Sequence, residues 1–297
     1  MKNKLKGSFS LLLATIIWGA SFIAQSVGMD HIGPFTFQAI RCGLAVVFLI
    51  PLVFLLERNV KGSIRDWKNP KLWKTGFICG IALFVAAGTQ QVGLLYTSAG
   101  KAGFITAMYI VIIPIFGLLF RKRPPISAWI SVALAAVGLY LLSCVGVSGI
   151  NIGDLCLVIC AIAFAVQITL VDRLAGDLDG LRLNCVQSLV CALLSAVMMF
   201  LTETPNMENI RSCWLPLCYA GILSMGIGFS LQIIGQKHVE PTPASLIMSL
   251  ESVFAAFFGW LLLKERMSPT ELCGCLLVFA AVILSQLPVD QFKKKHL

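Results

Sequence analysis

Ten apolar stretches of about 20 residues follow one another along this chain, at roughly 7–29, 34–56, 72–96, 98–120, 126–144, 151–173, 181–202, 213–237, 241–263 and 269–287. As a helix rising 1.5 Å per residue, each is long enough to cross the ~30 Å hydrocarbon core of a bilayer. Of the residues, 58% are hydrophobic and only 12% charged, about half the charge a water-facing surface carries. The solvent is therefore lipid, where backbone hydrogen bonds must close within each helix. The breaks carry turn chemistry: Gly33-Pro34, Asn69-Pro70, Pro124-Pro125, Pro205, Pro241 with Pro243, and Pro269. Links 96–98 and 238–241 are short enough to make helices 3/4 and 8/9 tight antiparallel hairpins. The expected fold is all-α, an integral protein of the cell membrane with ten transmembrane helices.

The net charge of +9 would suggest nucleic acid in a soluble protein. Here the basic residues sit in the breaks, so their partner is the lipid headgroup and no nucleic acid is implied. With the N-terminus inside, the loops facing the cytoplasm hold 18 Lys and Arg and the outer loops 3, while Arg41 and Lys101 lie within spans. That imbalance puts both termini in the cytoplasm and agrees with ten crossings. The lysines before Gly7–Met29 imitate a secretory signal, but the apolar run exceeds the usual 7–15 residues. It reads as the first span, retained.

A shift of 146 lays Gly7 on Gly153, Trp18 on Phe164, Gln38 on Asn184 and Arg41 on Gln187. A shift of 142 lays Gln90 on Gln232, Gly93 on Gly235, Ala102 on Ala244 and Lys122 on Lys264, and puts Tyr109 opposite Glu251. The chain thus divides into two repeats, 1–146 and 147–297. Five helices per repeat force the second to insert upside down, and inverted repeats place a binding site near the midplane between them.

Three stretches resemble a known family: WGASF (18–22), TSAGKAGFITAMYIVIIPIFGLLF (97–120) and EPTPASLIMSLESVFAAFFGWLLLKERMSPTELCG (240–274). The chain is similar along essentially its whole length to the EamA-type branch of the drug/metabolite transporter superfamily. The resemblance implies ten helices in two inverted repeats and outward carriage of metabolites such as amino acids. An acidic residue that often ends the penultimate helix of a repeat is matched by Glu265, whereas Arg121-Lys122-Arg123 occupies that region of the first half. Many relatives have proline where this chain has Ser252, which implies a straighter ninth helix.

Charges within spans cost at least a few kcal/mol facing lipid, so Arg41, Lys101 and Glu251 should face a cavity or a partner. Glu251 lies ten residues beyond Pro241, ~15 Å deep and near the midplane. It either binds a substrate ammonium or carries a proton, or it is a structural carboxyl bonded to a neighbouring helix, with Arg41 a possible partner. Arg41 reads first as structural, and Lys101 as snorkelling to the interface or lining a funnel for carboxylates. Trp18, mid-span, shares a helix face with Ser21 and Gln25, and with Gln90, Tyr109 and Gln232 completes the candidate substrate-binding or coupling set. Gln38 with Arg41, and Asn184 with Gln187, are spaced to cross-link helices. Paired small residues such as Gly76 with Gly80 and Gly226 with Gly228 are packing positions.

The eleven cysteines lack metal-ligand spacing and read as small apolar packing residues. No zincin or nucleophile-elbow motif occurs, the three histidines lie in loops or the tail, and no phosphate or dinucleotide loop appears. No catalytic residue, metal or cofactor is expected. The sequence points to a carrier working by alternating access, uncoupled or proton-coupled, with cavity walls from helices 1, 3, 4, 6, 8 and 9. A membrane-embedded enzyme or lipid-handling protein is the alternative, a receptor the third class.

Overall fold

The computed structural model describes residues 2–56, 66–97, 99–119, 124–143, 151–263 and 268–286. Arg121-Lys122-Arg123, Glu265 and many of the counted loop lysines and arginines lie outside them. Among the described residues every regular element is helical. The helices are α1 (Lys2–Met29), α2 (Pro34–Leu56), α3 (Pro70–Leu94), α4 in two pieces (Ala99–Ala107 and Tyr109–Leu119) and α5 (Ile126–Ser143). The second half repeats the series: α6 (Ile152–Leu174), α7 (Gly180–Thr202), α8 (Trp214–Cys218, Tyr219–Gly228 and Phe229–Gln236), α9 (Pro241–Met248 and Leu250–Leu263) and α10 (Pro269–Gln286). Nine are long and apolar enough to cross a membrane, and the tenth apolar helix is shorter, Ile126–Leu142.

Burial is inverted relative to a soluble protein. Large apolar side chains such as Val47, Leu55, Phe200 and Ile283 are exposed, while Gln38, Gln167, Asn184 and Gln187 have no exposed surface. Lipid tails solvate the first group at no cost, whereas amides need partners that only the bundle interior supplies. Helix starts are set by short polar side chains. Asn69 caps α3 and Asp179 caps α7, and Asn151 with Asp154 forms a reciprocal capping box on α6.

The repeat seen in the sequence is visible in the packing. At the crossing of α1 and α8, a Cβ on Gly7 would meet Gly235 O at 2.8 Å, and one on Gly235 would meet Leu11 Cγ at 2.7 Å. At the crossing of α6 and α3, a Cβ on Gly153 would meet Gly93 O at 2.8 Å, and one on Gly93 would meet Leu157 Cγ at 2.6 Å. Gly7, Leu11 and Gly235 map onto Gly153, Leu157 and Gly93 with the offsets 146 and 142. Equivalent glycines therefore let equivalent backbones touch.

One offset needs refining. Gly80 packs on Gln187 O and Val190, and Gly221 packs on Arg41 O and Leu44 in the same way; their offset is 141, not 142. Between this crossing and Gly235, α8 carries one residue more than α3. That is where Tyr219–Gly228 winds as a π-helix. The wider turn absorbs the extra residue, so Gly221 and Gly235 both still face their partners.

Two further expectations change. The 96–98 and 238–241 links are short, but α3 packs chiefly on α6 and α7 and α8 on α1 and α2, so the hairpin helices diverge. The ninth helix is not straight. It breaks at Ser249, where Ser252 N bonds to Ser249 O at 3.2 Å and the hydroxyls of Ser245 and Ser249 bond back to Thr242 O and Leu246 O. These local side-chain bonds unsettle the helix without proline. Its mate α4 breaks at Met108, within one residue of the equivalent position.

The start of α1 and the end of α10 lie at one end of the bundle, where Ser8 Oγ donates to Gln286 Oε1 at 3.4 Å. Also near that end, Lys71 Nζ donates to Asp177 Oδ1 at 2.9 Å. This exposed bond holds the Asp177 carboxyl below its usual range. Its contribution is present above the unfolded value and fades as pH falls through the lowered one.

Candidate functional site

A cleft between the two repeats encloses about 530 Å³ of atom-free space, its mouth included. From the first repeat α1 presents Trp18, Phe22 and Gln25, α2 presents Arg41, and α3 and α4 present Gln90 and Tyr109. From the second, α6 presents Phe164, α8 presents Met225, Phe229 and Gln232, and α9 presents Met248 and Glu251. The walls match the six helices expected, with α2 added through Arg41. Most of the lining surface is apolar, and the charged groups are few.

Glu251 is the second residue of the second piece of α9, next to Leu250, and Tyr109 opens the second piece of α4. The Tyr109 hydroxyl donates to Glu251 Oε1 at 3.1 Å. Since the two residues are mates under the repeat, their contact lies on the pseudo-two-fold axis relating the halves. The helix breaks beside them free backbone groups at the cavity, as in carriers with discontinuous helices.

Arg41 is 2% exposed. Its Nε donates to Gln38 Oε1 at 2.8 Å and its Nη1 to Gln25 Oε1 at 2.7 Å, and its guanidinium stands 5.7 Å from the centre of the Phe37 ring. All these partners are neutral. Among the described residues neither Arg41 nor Glu251 forms an ion pair. One cavity thus holds a buried guanidinium and a buried carboxyl, neither of them in an ion pair among the described residues. A buried charge is costly unless something pairs with it.

Trp18 packs on Phe229 with ring centroids 5.0 Å apart and donates from Nε1 to Ser224 O at 3.3 Å. Gln90 donates to Thr106 Oγ1 at 3.4 Å. Asn184 and Gln187 do cross-link helices, through bonds to α8 and α6. Lys101 is the candidate that the structure sets apart. It does not line this cleft, and instead of reaching the interface it is buried, 2.7 Å from Asp154 Oδ2. Asp154, in the first turn of α6 and the partner of Asn151 in its capping box, was not in the expected set.

The comparisons with known proteins agree with this architecture. The model of the EamA-like transporter family matches residues 5–144 and 151–287. An uncharacterized transporter of Archaeoglobus fulgidus is 33% identical over 97% of this chain and 88% of its own length. Uncharacterized transporter YoaV of Bacillus subtilis is 22% identical, covering 94% and 96%. Uncharacterized inner membrane transporter YedA of Escherichia coli K12 is 25% identical, covering 93% and 89%. A crystal structure only 19% identical superposes with a TM-score of 0.81 over 96% of this chain and 98% of that one, a likeness of fold. The chain is a multi-pass membrane protein and belongs to the EamA-like transporter family.

Proposed function

We propose that this transporter carries small zwitterionic metabolites with an apolar body, amino acids among them, through the cleft by alternating access. The observation behind this reading is the pair of unmatched charges in one cavity, Arg41 and Glu251. A cargo with a carboxylate and an ammonium supplies the counter-charge to each, and its apolar part meets Phe22, Phe164 and Phe229. The repeats, 1–146 and 147–297, rock about the Tyr109–Glu251 contact on their common axis. The 18-to-3 distribution of basic residues supports cytoplasmic termini in the cell membrane, and the family supports outward carriage.

Glu251 is also the coupling group in this reading. It holds a proton when the cavity is empty and gives it up as the ammonium arrives, so a proton moves opposite to the cargo. The test uses the full chain in vesicles, with radiolabelled L-leucine as probe. Wild type should exchange it down its gradient and respond to an imposed pH gradient. Glu251→Gln should keep downhill exchange with a raised KM and lose the pH response. Unchanged pH-driven flux in that variant sinks the proton role.

A further inference from the structure

The hydrogen-bond polarity of the cleft is set outside it, by a chain of amides in the second repeat. Asn184 Nδ2 donates to two main-chain carbonyls of α8, Met225 O at 2.8 Å and Gly226 O at 2.9 Å. Carbonyls only accept, so the Asn184 nitrogen must lie on that side and its oxygen on the other. That oxygen accepts from Gln187 Nε2 at 2.9 Å, Gln187 Oε1 accepts from Gln167 Nε2 at 3.3 Å, and Gln167 Oε1 accepts from Gln232 Nε2 at 3.1 Å. A second anchor meets the same point. Gln236 Nε2 donates to Ile168 O at 3.1 Å, and Gln236 Oε1 accepts from Gln232 Nε2 at 3.0 Å.

Every link runs one way, because turning any amide over would set oxygen against oxygen and nitrogen against nitrogen. Both hydrogens of the Gln232 amide are therefore committed. Its Oε1 is buried without a donor among the described residues, on a side chain that lines the cleft. Among the described residues the first repeat has no matching chain from Asn or Gln to its mate of Gln232. Its mate of Gln187 is Arg41, which lines the cleft itself, and its mate of Gln232 is Gln90, whose amide meets Thr106. One repeat thus supplies a cation to the cavity and the other a fixed acceptor.

We infer that Gln232 is a specificity-determining residue, whose carbonyl, fixed by the one-way amide chain, accepts a hydrogen bond from the ammonium group of the cargo and selects N–H-bearing cargo over cargo with a fully alkylated nitrogen. The inference rests on the zwitterion reading of the same cleft, with the Glu251 carboxyl as the other acceptor. Asn184, Gln187, Gln167 and Gln236 do not line the cleft and act through Gln232 as positioning residues.

The test compares counterflow of L-leucine with that of its N,N,N-trimethyl derivative, which keeps side chain, carboxylate and charge but has no N–H. The full chain in vesicles should show a KM about ten-fold higher for the trimethyl compound, the size of one hydrogen bond to a charged donor. Gln232→Met should raise the leucine KM about ten-fold with kcat little changed, bringing the two KM values close together. Gln167→Met with Gln236→Met, both outside the cleft, should shift the ratio the same way by removing both anchors of the Gln232 amide. Gln167→Glu with Gln236→Met should restore it, since the neutral acid offers an oxygen to Gln232 and a hydrogen to Gln187. An unchanged ratio in Gln232→Met overturns the inference and leaves the zwitterion reading standing. If that variant does not fold, equal ratios in Gln167→Met with Gln236→Met and in wild type overturn it instead. Wild-type vesicles that carry neither compound overturn both.

Discussion

Tyr109 and Glu251 touch because they are the same position in two copies of one design, brought face to face by the inversion. The depth of Glu251 could be counted from Pro241, and the offset of 142 named Tyr109 as its mate. The hydrogen bond between them needed the structure, since an offset gives equivalence and not proximity. Tyr109→Phe removes that bond from a carboxyl with no other hydrogen-bond partner among the described residues. It should raise the KM for L-leucine about five-fold, the equivalent of ~1 kcal/mol, with kcat less affected. Arg41 was legible as a charge in a span, but its place in the cleft depends on α2 facing inward between Gln25 and Gln38. Asp154 was not singled out for a physical reason: it lies in a first helical turn, where an acidic residue is common, and nothing in one dimension points it at Lys101.

The helices depart from simple rules at defined places. Proline was the expected cause of any bend in α9, yet serine hydroxyls bonded to their own helix accompany its break. The π turn of α8 was hidden because one added residue among apolar neighbours leaves no mark on hydropathy; it shows only as the change of offset between Gly80/Gly221 and Gly93/Gly235. The two glycine crossings should be equivalent in energy as well as in contacts. Gly93→Ala and Gly235→Ala each push a Cβ within 3 Å of a leucine side chain, and each should lower stability by about 1–3 kcal/mol, by unfolding in detergent. A large effect at one and none at the other would contradict the symmetry. Lys101 and Asp154 tie α4 to α6, and so one repeat to the other. Lys101→Met alone should cost about 3 kcal/mol by stranding the Asp154 carboxylate, whereas Lys101→Met with Asp154→Leu should recover most of it.

At the scale of the molecule, lipid as solvent dictates the fold. Apolar length gave ten spans, and the odd number per repeat gave the inversion; both are read from the chain because bilayer thickness is a fixed ruler. The interior was less legible, because its amides find partners on helices far apart in sequence, as Gln232 finds Gln167. What the assembled bundle adds is a cleft on the symmetry axis with one positive and one acidic group, neither of them in an ion pair among the described residues. The direct test is counterflow in vesicles of three compounds sharing one apolar body: L-leucine, 3-methylbutylamine without the carboxylate, and 4-methylpentanoate without the ammonium. Saturable flux of L-leucine alone, with Arg41→Met abolishing its advantage over the amine, is the predicted result. Flux of either single-charge compound as fast as that of leucine in the wild type, or of none of the three, would contradict the account.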